Sequence, residues 1–188
     1  MRARLLYVLA SSLLPSIYFW QEGGRISLFT ALGFLSIVGG AQVAVPLSKA
    51  AAPVTGQTLA VVVNVLLLGH RQALASAALY VLGGTVARLP ILAGGTKLED
   101  RRPIGYLVGM PVCAWVTGAI LEPTPTFVGI FIAAGVGQLC TVATGAAWLW
   151  LLKVPFVTAV KSGFLPFLPG MVLKAAVAAS LGNLFKVN

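Results

Sequence analysis

Long apolar runs separated by short polar breaks dominate the hydrophobic pattern of this chain. The runs are about 15 to 25 residues long and lack the alternation of a strand, so the pattern predicts α-helices. We predict helices over residues 5–20, 28–47, 56–69, 72–87, 104–121, 126–152 and 169–186, with a short amphipathic helix near 156–164. The chain therefore contains six main helices and an additional hydrophobic helix at its N-terminus.

The composition places these helices in a membrane. Of the 188 residues, 59% are hydrophobic and only 9% are charged, whereas about a quarter of a soluble domain is charged. Helices satisfy their own backbone hydrogen bonds in lipid. We predict an all-α, multi-pass integral membrane protein in contact with the lipid bilayer. The plasma membrane is the expected location, and an internal membrane such as the thylakoid is the alternative.

The N-terminal run differs from the others in its flanks. The segment LLYVLASSLLPSIYFW follows Arg2 and Arg4, a basic start and apolar body of the kind found in signal peptides. We expect it to be retained as an anchor or extra span. The chain has no internal repeat, so we divide it into an N-terminal helix with its connection over 1–27 and one transmembrane domain over 28–188.

Charge and reactive side chains exclude several functions. The net charge of +9 arises because acids are few, not from a basic tract, so nucleic acid is a poor partner and anionic headgroups or an anionic ligand are better ones. Cys113 and Cys140 lie in apolar runs and are expected to be packing residues. The lone His70 has no acid or cysteine beside it, so we predict neither an enzyme nor a metal site.

One lysine lies inside an apolar run. Lys174 falls in FLPFLPGMVLKAAVAASLGNLF, which extends from Phe164 to Phe185. An ammonium group is costly there unless it faces a cavity, an anion or water. Lys174 therefore indicates either a binding cavity or a side chain that reaches the membrane surface.

Four stretches together resemble a known family. They are AQVAVPLSKAAAPVTGQTLAVVV (41–63), LGGTVARLPILAGG (82–95), RPIGYLVG (102–109) and GFLPFLPGMVLKAAVAASL (163–181). Their order and approximate spacing are similar to those of BioY, the biotin-specific substrate-binding subunit (S component) of energy-coupling-factor (ECF) vitamin transporters. The similarity covers about residues 28–186.

The resemblance implies a six-helix bundle that binds biotin near its outer surface, without catalysis and without a cofactor. A transmembrane coupling subunit and two ATPases would be its partners. Hydroxyl and amide groups at a helix start, a proline–glycine turn, a tyrosine and the lysine then become candidate ligand-binding residues. These are Thr55, Gln57, Pro90, Gly94, Gly95, Tyr106, Met171 and Lys174.

The chain departs from the family pattern in its last helix. The family motif has Pro-Gly-Asp followed by the lysine, and Met171 occupies the place of the aspartate. The departure leaves an alternative open, a BioY-derived structural subunit of a larger membrane complex that no longer transports. The N-terminal helix and exposed aromatic residues would then contact protein, lipid or pigment. The candidate aromatic residues are Trp20, Trp115, Trp148 and Trp150.

Basic residues are distributed unevenly between alternate connections. One side would carry Arg2, Arg4, Lys49, Arg88, Lys97, Arg101, Arg102, Lys153 and Lys161, and the other Arg25, Arg71 and Lys186. The positive-inside rule predicts that the first side is cytoplasmic. The resemblance instead implies that those connections lie outside, over the ligand, where positive charge would attract the carboxylate of biotin.

Overall fold

A bundle of helices accounts for most of the residues that the structure describes. The computed structural model describes residues 28–46, 50, 52–93, 101–121 and 125–185. Its elements, in chain order, are α1 (Leu28–Gln42), β1 (Ala44–Val45), β2 (Val54–Thr55), α2 (Gln57–Leu68), α3 (His70–Thr85), α4 (Ile104–Ile120), α5 (Phe127–Leu151), α6 (Phe156–Gly163), a 3-10 turn (Leu165–Phe167) and α7 (Leu168–Leu184).

The helices agree with the predicted spans to within a few residues, except that α1 ends five residues early. There the chain instead forms a short antiparallel hairpin, in which Ala44 pairs with Thr55 and Val45 with Val54. The predicted helix over 5–20, and the domain boundary at residue 27, lie outside the described residues.

Local chemistry explains several helix ends. Gly69 alone separates α2 from α3, and its φ of 86° is a conformation that glycine adopts without strain. The hydroxyl of Thr126 caps α5 by accepting a hydrogen bond from the Gly129 amide at 3.1 Å. Pro103 precedes α4, where the missing amide hydrogen is not needed.

Helices α4 and α5 make the most extensive contact in the bundle. Glycines permit this close approach: a Cβ atom at Gly109 would lie 2.7 Å from the Cα of Thr141, and one at Gly105 would overlap Trp148. The hydroxyl of Thr141 also donates to the Gly109 carbonyl at 3.0 Å. Small residues and interhelical hydrogen bonds of this kind hold helices together in lipid.

The surface of the bundle is apolar while its interior contains polar side chains. Large hydrophobic residues such as Leu35, Trp115 and Leu184 are more than half exposed, whereas Asn64 and Gln138 are buried. Two helical stretches, Phe127–Leu151 and Phe156–Leu184, are long and apolar enough to cross a membrane, and α1, α2 and α4 are shorter apolar helices.

Successive long helices alternate in direction, so three connections meet at one end of the bundle. We call this the hairpin end, and its described residues are 43–46, 50, 52–56, 86–93, 101–103 and 152–167. A hydrogen bond of 2.8 Å from the Trp148 indole to the Arg101 carbonyl joins the end of α5 to the start of α4 there.

Candidate ligand cavity

A cavity of about 320 Å³ opens at the hairpin end, between the hairpin and helices α2, α4, α5 and α7. Its size falls within the range of about 300–1,000 Å³ that is typical of small-molecule sites. It is lined by Ala52, Pro53, Val54, Thr55, Gln57, Thr58, Leu92, Ala93, Pro103, Tyr106, Leu107, Met110, Gln138, Thr141, Val142, Phe167, Met171 and Lys174.

A chain of polar groups crosses one wall of the cavity. The ammonium group of Lys174 donates to the hydroxyl of Thr58 at 2.9 Å, and that hydroxyl is 3.3 Å from Gln138 Oε1, to which it donates. Gln138 is 2% exposed, and Thr58 and Lys174 are partly buried, so three helices contribute polar groups to one cluster beside the cavity. Lys174 therefore turns inward to the cavity and does not extend to the surface.

The charge of Lys174 is not neutralised by an acid in the part of the chain that the structure describes. No Asp or Glu occurs in residues 28–46, 50, 52–93, 101–121 or 125–185. Among these residues Thr58 is the hydrogen-bond acceptor of Lys174, and an ammonium group has three donors. The remaining donors are suited to a ligand oxygen, either a carbonyl or an anion.

A second hydrogen-bonded chain fixes the wall formed by the hairpin and α2. Thr55 donates to Gln57 Oε1 at 2.6 Å, the Gln57 amide donates to the hydroxyl of Tyr80, and Tyr80 donates to the Ile91 carbonyl at 2.9 Å. Tyr80 itself is fully buried. The chain thus connects Thr55 and Gln57 to the segment that carries Leu92.

We expect Tyr80→Phe to destabilise the fold by about 1–3 kcal/mol, because the buried Gln57 amide would lose its acceptor. Thermal unfolding of the purified protein measures this loss. A double-mutant cycle with Gln57→Leu provides the control, since removing both partners should cost less than the sum of the single changes. Additive effects would show that the two side chains do not act together.

The opposite wall is aromatic and apolar. The rings of Tyr106 and Phe167 lie 5.2 Å apart between centroids, and the Tyr106 hydroxyl donates to the Gly163 carbonyl at 2.7 Å. A Cβ atom at Gly145 would overlap the Tyr106 ring, so the ring can pack here only because residue 145 has no side chain. Met110 and Met171 complete the wall. Methionine and aromatic side chains are suited to a compact apolar ring system.

Five of the residues proposed from the sequence line this cavity: Thr55, Gln57, Tyr106, Met171 and Lys174. Pro90 is exposed and is not among the lining residues. Gly94 and Gly95 lie outside the described residues. The structure brings these five side chains together, and their role in binding stays a prediction.

Several lining residues were missed at the sequence level, notably Gln138, Met110 and Phe167. For Gln138 a signal was present, because it is an amide within the otherwise apolar span of α5 and polar residues inside spans usually face a cavity or a partner. Met110 and Phe167 carried no such signal, since apolar residues are ordinary in these helices. The described residues contain no cluster of His, Cys, Asp or Glu suited to a metal ion.

The comparisons with known proteins agree with one another. The BioY family model matches residues 21–187. Biotin transporter BioY of Rhizobium etli is 33% identical over 148 residues, which cover 72% of this chain and 79% of that protein. Biotin transporter BioY of Thermotoga maritima is 32% identical over 159 residues, which cover 82% and 89%.

A solved structure has the same fold. The crystal structure of the S-component for biotin from an ECF-type ABC transporter matches with a TM-score of 0.74 at 20% identity, covering 85% of this chain and 89% of that one. The helical bundle expected from the sequence is thereby confirmed.

Proposed function

Because the chain belongs to the BioY family, we propose that it is the biotin-binding membrane subunit, or S component, of an ECF-type transporter. The observation that carries this proposal is the cavity of about 320 Å³, which combines aromatic and methionine side chains with one partly buried ammonium group, that of Lys174. Biotin has matching chemistry, with a rigid apolar ring system, a polar ureido group at one end and a carboxylate on a flexible tail at the other.

In our proposal the ureido group lies at Lys174. Its carbonyl oxygen would accept a hydrogen bond from the Lys174 ammonium group, and its N–H groups would donate to neutral oxygens, of which Gln138 Oε1 is the nearest to the Lys174–Thr58 pair. Met171 offers no such acceptor. A neutral amide would therefore perform the task that the family motif assigns to an aspartate.

The rest of the molecule fits the other walls in this orientation. The bicyclic ring would pack on Tyr106 and Phe167, whose rings already form one surface. The tail would pass between Pro53, Ala93 and Pro103 toward the hairpin end. This orientation leaves the carboxylate at the cavity entrance.

We propose that a transmembrane coupling subunit and two ATPases associate with the bundle, and that biotin is cargo and not a cofactor. The family is one of membrane transporters, and the plasma membrane is our proposed location.

One observation favours a second function. In the part of the chain that the structure describes, no carboxylate lies beside Lys174, and a chain that has lost biotin binding would also display this. Such a chain would be a structural subunit of a larger membrane complex, with partners other than ATPases. A retained polar cluster of three helices argues for binding, because buried polar groups without a ligand are costly to keep.

Uptake of radiolabelled biotin tests the proposed function. The chain would be expressed in cells that lack their own biotin uptake, with and without an ECF coupling subunit and ATPases, and cells with the partners alone serve as the control. We expect uptake to require both the chain and the partners. A stable complex purified under mild conditions that contains no ATPase, together with no uptake, would favour the structural subunit.

A further inference from the structure

Positive charge is concentrated where the cavity opens. The described parts of the three connections at the hairpin end contain Arg88, Arg101, Arg102, Lys153 and Lys161, whereas Arg71 lies at the opposite end of the bundle. Lys49, Lys97, Glu99 and Asp100 lie outside the described residues. The cavity entrance therefore lies in a region of positive potential.

Five cations of these connections are described and exposed, and we call four of them, which lie on segments next to the cavity, the basic rim: Arg88, Arg101, Lys153 and Lys161. Arg101 lies two residues before Pro103, and Arg88 four residues before Leu92, both of which line the cavity. Lys161 lies two residues before Gly163, which holds the Tyr106 hydroxyl. The backbone amide of Lys153 donates a hydrogen bond to the Trp150 carbonyl. Trp150 lies two residues after Trp148, whose indole donates to the Arg101 carbonyl.

Two members of the rim occupy an unfavourable backbone conformation. Arg88 has a φ of 51° and Lys153 a φ of 67°, and they are the residues other than glycine with positive φ in the described segments. Glycine or asparagine would be favoured at such helix ends, because the left-handed conformation brings the Cβ atom of other residues too close to the following carbonyl oxygen. A cation near a helix C-terminus gains some stability from the helix dipole, but it can do so from the last turn without this strain.

The cationic character continues into the cavity. Lys174 lies at its inner polar cluster, and no acid of the described segments stands between Lys174 and the rim. An anion that approaches the hairpin end thus meets increasing positive potential without an opposing charge on the described surfaces. Clefts of this kind raise association rates of oppositely charged ligands by about 10- to 1,000-fold.

Resting on the proposed function, we infer that the basic rim is an electrostatic capture site for the carboxylate of biotin, so that the chain selects the ionised vitamin during association. The ureido group would be bound at Lys174 while the carboxylate stays at the rim. The positive-inside rule would place this basic end of the bundle in the cytoplasm, whereas the resemblance implies that it faces outward. Capture of the carboxylate would explain why an outward-facing cavity end carries positive charge. The ring system would determine the dissociation rate, and the rim the association rate.

Stopped-flow fluorescence in neutral detergent tests this inference with biotin, biotin methyl ester and biotinamide. Raising the salt from about 0.01 M to about 0.15 M shortens the Debye length from about 30 Å to about 8 Å. We expect the association rate of biotin to fall by about 10-fold. The rates of the two neutral analogues should change by less than about twofold, because steering acts on charge.

A variant with Arg88→Gln, Arg101→Gln, Lys153→Gln and Lys161→Gln should associate with biotin about 10-fold more slowly at low salt, with its dissociation rate unchanged. Arg71→Gln, at the other end of the bundle, is the matched control and should behave as the unaltered protein. The salt series and the analogues are measured on the unaltered protein, so their result does not depend on whether the variant folds.

The outcomes separate the two proposals. Failure of the unaltered protein to bind biotin or either analogue would overturn the proposed function and this inference with it. Binding of biotin with an association rate that is independent of salt, or equal rates for biotin and its ester, would overturn the inference alone. Thermal stabilisation by phosphatidylglycerol together with such salt independence would assign the rim to lipid headgroups instead.

Discussion

Replacing Lys174 by methionine is expected to weaken biotin binding by about 10- to 100-fold while raising the thermal unfolding temperature of the biotin-free protein. A hydrogen bond from a charged donor contributes about 1.5–3 kcal/mol, which corresponds to one or two decades in affinity. The lysine is at the same time costly in the empty bundle, since a charge inside a membrane span costs about 2.5–3.5 kcal/mol. Methionine has similar length, and Thr58 keeps its hydrogen bond to Gln138.

A substitution that weakens ligand binding but raises the stability of the ligand-free protein indicates a residue that is retained for binding. Titration calorimetry with biotin and thermal unfolding without it, on the same preparation, measure both. Arg71→Met is the matched control, because Arg71 is an exposed cation on α3 at the end of the bundle away from the cavity. A Lys174→Met protein that is less stable and binds biotin normally would identify Lys174 as a structural residue.

The substitution Gly109→Leu is expected to lower the free energy of unfolding by about 1–3 kcal/mol and to reduce biotin binding as well. A side chain at Gly109 would meet the backbone of Thr141, 2.7 Å from its Cα and 3.0 Å from its carbonyl oxygen. A backbone cannot move aside as a flexible side chain can, so α4 and α5 would have to separate. Because Met110 and Thr141 line the cavity, this separation would alter the binding site.

The same substitution at Gly135 is the control for this prediction. Gly135 lies on α5, and no atom lies within 4 Å of the position that its Cβ would take. Leucine there should leave the unfolding temperature unchanged or raise it, because leucine favours a helix more than glycine does. Fluorescence-detected thermal unfolding in detergent compares the two variants. Equal effects would contradict the account of the α4–α5 contact.

The bundle was predictable from the sequence because few physical rules determine it. Apolar runs of fixed length, interrupted by proline, glycine and charged residues, set the helices, and the break between α2 and α3 was predicted at residues 70–71, directly after its true position at Gly69. The hairpin of Ala44 with Thr55 was not predicted. Strands of two residues leave no alternation to detect, and the pairing depends on contacts between distant residues.

The site was predictable where a polar side chain interrupted an apolar context. Lys174 stood out for this reason, and the same rule applied to Gln138 would have added it, whereas Gln57 was proposed from its place at a helix start. Pro90 was proposed because it lies in a turn, but its side chain is exposed. The presence of a turn does not determine which way its side chains face. The partnership of Lys174 with Thr58, which are 116 residues apart, depends on the packing of α2 against α7 and could not come from spacing.

Isothermal titration of the purified protein with biotin, in neutral detergent, tests the central claim most directly. The account predicts one biotin per chain with a Kd below about 1 µM, equivalent to about −8 kcal/mol. It also predicts competition by desthiobiotin, which retains the ureido group. No saturable heat up to about 1 mM biotin, a limit of about −4 kcal/mol, from a folded and monodisperse preparation would contradict it. The chain would then be a vitamin-transporter fold that serves a structural role.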